Sequence, residues 1–361
     1  MLRQRTGESA LLDFSESRGT IRCLEPAFVP YRPIDLSHLR VTSLEARPSK
    51  VDRSDLGRTV PADVTFATWL DSLPNVLAGK SLRELVDRTV TAIRRRRPVL
   101  LGMGGHVIKV GLGEMICDLI RSGLVTAVAS NGSVTIHDTE LAIVGRTSED
   151  VDLALQDGSF GMSGETAKFI LGAIAANRSD GAGRAIGRAL LEARAPNASG
   201  SVLATCAQND VPLCVTIAIG TDVVHGHPEA DGAALGEASL TDFRILCAVV
   251  SDLLDGGVYL NFGSAVLLPE VFLKALSIAR NLGASGDFTT ADFDFIRQYR
   301  PSTNVVRRPH LGTGGRGFAF TVHTNCSFRY SGRRFEANSA RIRLITSDAR
   351  QQRRAVIVSD Q

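Results

Sequence analysis

The chain has 361 residues, 44% hydrophobic and 22% charged, with a formal net charge of +3. That length holds one large α/β domain or two smaller ones, and so slight a charge excess gives no support to a nucleic-acid partner. No apolar run reaches the roughly 18 residues of a membrane span, and no charged-then-apolar leader opens the chain, so no membrane role is expected and the expected location is cytoplasmic.

The basic residues are lopsided: 36 Arg against five Lys, at Lys50, Lys80, Lys109, Lys168 and Lys274. Any lysine chemistry must draw on those five. The six cysteines (Cys23, Cys117, Cys206, Cys214, Cys247 and Cys326) form no C-x-x-C pair and sit largely in apolar runs, which fits a reducing compartment.

Residues 1–60 carry weak periodicity and read as a partly ordered N-terminal extension. "SLRELVDRTVTAIRRRRP" is an amphipathic helix with Leu82, Leu85, Val86, Val90 and Ile93 on one face. Arg94 to Arg97 close it; cations at a helix C-terminus complement the dipole and need no nucleic acid. A strand at Val99–Leu101 then runs into a glycine cluster, a helix and a second strand, Leu124–Ala129. "TELAIVGRTSEDVDLAL" is helical in its second half, and "GMSGETAKFILGAIAANRSDGAGRAIGRALLEA" holds one or two helices. "DVPLCVTIAIG" is a doubly buried strand. "SLTDFRILCAVVSDLLDGG" is a helix starting at Ser239 or Thr241 and stopped by Gly256. "GVYLNFG" is a strand and "PEVFLKALSIARNLG" a helix with Pro269 in its first turn. The alternation predicts an α/β fold: a Rossmann-like, mostly parallel sheet with helices on both faces.

Sites in such sheets lie at the carboxyl ends of the strands. Four stretches fall there: Gly104–His106, Ser130–Ser133, Asp222–Asp231 and Asn261–Ser264. Gly104 and Gly105 permit close backbone approach, and a following helix N-terminus can hold an anion, although the spacing is not G-x-G-x-x-G. "IHDTE" places His137 beside Asp138 and Glu140, either a base with its orienting carboxylate or acidic capping at a helix start. "GTDVVHGHPEADGAALGE" gathers Asp222, His225, His227, Glu229, Asp231 and Glu237. His225, His227 and Glu229 could ligate a divalent metal for hydrolysis, or the acids could pair with the ammonium groups of a cationic substrate. Lys274 lies four residues after Glu270, an i,i+4 ion pair or an imine-forming nucleophile beside its carboxylate.

"LLGMGGHVIKVGLGEMICDLIRSGLVTAVASNGS", "GSFGMSGETAKFI" and "GGVYLNFG" resemble segments of the deoxyhypusine synthase family, with a likeness running from about residue 60 to 320. The resemblance implies one catalytic domain over 61–321, a homotetramer with sites between subunits, and NAD as cofactor. It implies oxidation of a polyamine such as spermidine to an imine, transfer of its aminobutyl group to an acceptor amine, and return of the hydride. Gly104, Gly105 and His106 fall where the family has Thr, Ser and Asn, and Ser130, Asn131 and Gly132 where it has Thr-Thr-Ala. Asp222 falls near an aspartate that touches NAD, and Gly263 and Ser264 complete the expected cofactor set. His225, with Lys274 and Glu270, is then a candidate catalytic residue, and His227, Glu229, Asp231, Glu237 and Asp242 the polyamine's partners. The family's Trp-Gly-Lys is absent. Its lysine would fall at Ser277, and Lys274 lies nearly one turn away on the same side. If no lysine serves, a small acceptor amine attacks the imine directly, giving a homospermidine-type product. A non-catalytic relative that only binds NAD or polyamine is the remaining alternative.

After "GGRGFAFT" the family continues into an apolar helix, whereas residues 322–361 are polar and arginine-rich. Read two bases later, the codons of Val322–Ser331 permit His-Glu-Leu-Leu-Val-Pro-Leu-Leu. This points to a shifted reading frame beginning near Thr321.

Overall fold

The computed structural model describes residues 32–323. The chain divides after Lys50. Residues 32–50 are exposed throughout, with local turns such as the Leu39 N–H to Leu36 carbonyl bond of 3.0 Å. The tail from residue 324 onward, with nearly all of the frameshift expectation, lies outside the described residues.

The second unit holds eleven α-helices and six strands among its described residues. It opens with α1 (Phe66–Ser72) and α2 (Leu77–Arg94), whose Leu85, Val86 and Val90 are buried as the periodicity predicts. The chain then forms β1 (Val99–Met103), α3 (Gly105–Lys109), α4 (Gly113–Arg121), β2 (Ala127–Asn131) and α5 (Gly132–Val144). Next come α6 (Val151–Asp157), α7 (Gly164–Ala176), α8 (Ala182–Glu192), α9 (Val202–Gln208) and β3 (Leu213–Thr216). The last stretch is α10 (Gly232–Leu253), β4 (Val258–Phe262), α11 (Leu267–Asn281), β5 (Thr289–Asp294) and β6 (Arg316–Thr321).

The strands form one sheet in the order β3-β2-β1-β4-β5-β6, and every neighbouring pair is parallel. Parallel strands must be linked by crossovers, and these place helices on both faces, so the strands read as apolar runs. One face carries Leu100, Ala127, Ala129, Cys214 and Tyr259 under α10 and α11. The other carries Leu101, Met103, Val128, Val215, Leu260 and Phe262 under α2, α4, α5, α7, α8 and α9. This is the Rossmann-like α/β architecture the alternation implied.

Several boundaries differ from the sequence reading. The helix after β1 is broken in two at Gly111, which adopts φ +80°. β2 starts three residues late because the Leu124 and Val125 amides close the end of α4, at 2.9 and 3.1 Å from the Leu119 carbonyl. α10 begins at Gly232 rather than near Ser239, since Asp231 caps it by accepting the Ala233 N–H at 2.9 Å. Arg97 pairs with Asp255, so part of the arginine run fastens the end of α2 to the turn before β4.

Candidate functional site

In an open parallel sheet the ligand crevice lies where the strand order reverses, outside the carboxyl ends. Here that point falls between β1 and β4, and the turns after both strands are built from glycine. The Gly104 N–H donates to the Phe262 carbonyl at 3.2 Å, and a β-carbon on Gly104 would stand 2.6 Å from the Gly263 carbonyl oxygen. A β-carbon on Gly105 would stand 2.5 Å from Ser133 Oγ. The three turns after β1, β2 and β4 therefore meet at van der Waals distance, which only glycine permits. Gly263 itself takes φ +59°.

The expected anion-holding helix behind Gly104 is only the five-residue α3, so its dipole is slight. The His106 side chain is exposed beside it. Of the β2 turn, Asn131 Oδ1 accepts from Ser133 Oγ at 2.9 Å, and Ser130 Oγ is buried with no hydrogen-bond partner.

Asp222 reaches this turn from the segment after β3. Its Oδ2 is buried and unpartnered, and it lies so close to Gly132 that a β-carbon there would be 2.0 Å away. Burial raises the Asp222 pKa, with His225 opposing the shift. His225 Nδ1 accepts from the Gly220 N–H at 3.1 Å and from the Asp222 N–H at 3.4 Å. Its Nε2 therefore carries the proton when the ring is neutral, and it faces Asp222 Oδ2 at 3.9 Å. Gly132, Thr135, Asp222 and His225 line part of a cavity of about 10 Å³, the size of one water.

The remaining sequence candidates scatter. His227 Nε2 lies 2.9 Å from the Gly161 carbonyl oxygen, and Glu237 pairs with Arg178 at 3.0 Å. Glu229 is exposed, and Asp231 is the α10 cap. Asp242 is buried, with Oδ2 accepting the Val215 and Gly183 amides at 2.9 and 3.2 Å. Burial lifts its pKa to about 7. It fastens β3 to α8 and α10 and does not face the crevice with the other acids. Lys274 pairs with Glu270, which also accepts from Asn304 Nδ2 at 2.9 Å and lies 3.3 Å from Arg300. Lys274 is exposed, so nothing desolvates it as an imine-forming amine requires.

"IHDTE" lies within α5 rather than at its start: His137 Nδ1 lies 2.8 Å from Thr147 Oγ1, which donates to Glu140, while Asp138 serves as the cap of another helix. Asp138 is fully buried mid-way along α5 and accepts from Ser201 Oγ and the Val202 and Leu203 amides, capping α9. The metal reading does not hold: His225, His227 and Glu229 do not converge, and no three His, Cys, Asp or Glu among the described residues are placed to hold a metal ion.

Asp292 and Asp294 escaped the sequence reading, and Asn261 was placed at a strand end there without a role. Asn261 ends β4, and Asp292 and Asp294 end β5; all are buried. Asn261 Nδ2 donates to Asp292 Oδ1 at 2.7 Å and to the Ser264 carbonyl at 3.0 Å. Burial raises Asp292 to about 6, against the pull of the Asn261 hydrogen bond. The signal was present in "TTADFD", where Thr290, Asp292 and Asp294 alternate with apolar residues at the period of a strand. A buried strand with acids on one face is otherwise hard to account for. A larger groove of about 720 Å³ lies at the opposite end of the strands, between Lys80, Glu84 and Arg88 of α2, Arg95 just beyond it, and the residues around the starts of β4 and β5.

No protein-family model matches the chain, and no curated protein matches it. Among solved structures it is similar to the cyanobacterial arginine dihydrolase ArgZ, at 15% identity over 72% of this chain and 33% of that one, TM-score 0.44. It is similar to AgrE in complex with ornithine and NAD+, at 14% identity over 72% of this chain and 33% of that one, TM-score 0.47. A proposed deoxyhypusine synthase from Entamoeba histolytica matches at 10% identity over 76% of this chain and 94% of that one, TM-score 0.44. The chain spans about a third of the length of the first two. At such similarity the fold assignment rests on the sheet itself.

Proposed function

We propose that this chain is an NAD-dependent enzyme whose cofactor lies across the crevice between the β1 and β4 turns. The observation that carries the reading is the contact of Gly104 with Gly263 at the reversal of strand order, where turns without side chains let a dinucleotide lie close over the backbone. The cofactor fits the residues present. Asp222 Oδ2 and Ser130 Oγ, both buried without a hydrogen-bond partner beside the β2 turn, are the polar groups left for it to use. Bound there, NAD would supply a hydride acceptor and later return the hydride.

The finer reading is aminobutyl transfer from a polyamine to a small acceptor amine, supported by the likeness of three sequence stretches to the deoxyhypusine synthase family. The donor's amine carbon gives up a hydride and its nitrogen a proton, leaving an imine. The acceptor amine adds to the imine carbon, the original amine departs, and the returned hydride leaves a new secondary amine. Asp292, raised toward neutrality at the end of β5, is the group we assign to take the nitrogen's proton, and Asp294 beside it would face an ammonium. Lys274 keeps its ion pair with Glu270 in this scheme. Subunit association in a homotetramer belongs to the same proposal. No helix among the described residues is long and apolar enough to cross a membrane.

A second reading, a relative that binds NAD or polyamine without turnover, is favoured by the engaged and exposed Lys274. Anaerobic incubation with NAD and a panel of amines separates the two. NADH absorbance and the product masses should show a transferred aminobutyl group. Tight NAD or polyamine binding without product would select the second reading, and binding of neither would sink both.

A further inference from the structure

Asn261 is fully buried where β4 ends, and each part of its amide is engaged. Oδ1 accepts from the Tyr259 hydroxyl at 3.2 Å. The two Nδ2 hydrogens go to different elements: Asp292 Oδ1 on β5 and the carbonyl of Ser264 in the turn that follows. Tyr259 is held in turn by Phe272, stacked at 4.2 Å, and lies over Gly102 of β1, where a β-carbon would meet the ring at 2.7 Å. One amide thus joins three strands at the reversal of strand order to a turn that is otherwise a glycine in a left-handed conformation.

The turn has little else to fix it. Gly263 donates to the Phe293 carbonyl at 3.0 Å, and Ser264 Oγ accepts the Leu268 N–H at 3.4 Å, a long bond. Yet the Gly263 carbonyl is the atom that abuts Gly104 across the crevice. A shift of the turn by one ångström would break that contact or turn it into a clash. A side chain that only filled space at 261 would leave the Ser264 carbonyl, the Asp292 carboxylate and the Tyr259 hydroxyl buried without partners, which is costly.

We infer that Asn261 is a positioning residue: through its two N–H donors it holds the Gly263–Ser264 turn against Gly104 and so fixes the glycine floor over which the dinucleotide would lie. The inference rests on the reading of that crevice as the NAD site. It assigns to the amide a function separate from its contribution to stability.

The test uses Asn261→Asp, which keeps the shape and the acceptor for Tyr259 but removes both donors, and Asn261→Leu, which removes everything polar. Each full-length variant is compared with the parent by NAD titration, thermal melting and hydrogen exchange of the 263–268 amides, below its melting temperature. Both should bind NAD at least about tenfold more weakly while folded, the loss of one or two hydrogen bonds' worth of positioning. Exchange should quicken in 263–268 first. A variant that melts earlier yet binds NAD as the parent does would overturn the inference and leave the NAD reading standing. A parent chain that binds no NAD would remove both. If neither variant folds, the parent decides: NAD should slow exchange at Gly263 and Ser264, and unchanged exchange there would overturn the inference.

Discussion

The Asp222 carboxylate lies against the α-carbon of Gly132, the first residue of α5, so that a β-carbon there would fall 2.0 Å from Asp222 Oδ2. The two residues are ninety positions apart in the chain, yet neither can be placed without the other. Burial disfavours the ionised carboxylate, and His225 offsets part of that cost.

This contact makes Gly132→Ala a specific probe. The added methyl must displace a buried carboxylate rather than a flexible side-chain end, and overpacking of this kind costs about 1–3 kcal/mol. We expect a lower melting temperature together with weakened NAD binding, because Asp222 is pushed off the tip of β2. Asp222→Asn should instead keep or raise stability, since it removes a charge whose burial is unfavourable, while still weakening NAD. Calorimetric melts and NAD titrations of the two variants check the pair of signs.

Asp138 gives the opposite combination. Its carboxylate accepts from Ser201 Oγ at 2.6 Å, Val202 N at 3.0 Å and Leu203 N at 2.9 Å, closing the start of α9. Asp138→Ala leaves those donors buried and should cost about 3 kcal/mol, the sum of a lost cap and unsatisfied donors. Below its melting temperature the variant should bind NAD as the parent does. Denaturant unfolding supplies the first number and titration the second; a selective loss of NAD binding would place Asp138 in the site after all.

The difference between these residues also shows what could be read from the chain. The βαβ alternation was legible because strands buried on both faces are apolar runs and helices such as α2 carry a clear 3.6-residue stripe. Gly104, Gly105, Gly132 and Gly263 were legible as turn glycines for the same local reason. His227, Asp231 and Asp242 lie in or just beyond the dense run after β3, but nothing local says that they turn toward Gly161, the α10 amides and the β3–α8 junction. Asp292 was the reverse case. Its partner Asn261 is 31 residues away, and only the register of β4 against β5 brings the two together.

His310 predicts an acid-side limit to stability. Thr290 Oγ1 donates to the Val305 carbonyl at 2.6 Å, so His310 Nε2–H must donate to Thr290 at 2.7 Å, leaving Nδ1 buried and without a partner. Burial first, then Arg280 and Arg88, push its pKa down from 6.5 to about 4. At His310 the unfolded chain therefore binds more protons between those values, and this group's contribution to stability falls as pH drops from about 6.5 through about 4. His310→Gln, which can still offer an N–H to Thr290, should flatten that part of the profile of melting temperature against pH. An unchanged slope would assign the acid sensitivity to other groups.

Lys274→Ala tests how the proposed transfer step would run. An exposed i,i+4 pair such as Glu270–Lys274 contributes about 0.3–0.5 kcal/mol, so Lys274→Ala should leave the fold nearly as stable. Glu270 would keep Arg300 and Asn304 as partners. If the acceptor amine attacks the imine directly, the variant should retain most of its turnover with the preferred amine pair, and borohydride should trap no adduct on the protein. If Lys274 carries the aminobutyl group between donor and acceptor, turnover should fall by several orders of magnitude, and the parent should give a borohydride-stable adduct at Lys274 that the variant lacks. The geometry favours the first outcome, because Lys274 is exposed and paired with a carboxylate, with no apolar pocket around it to make it a nucleophile.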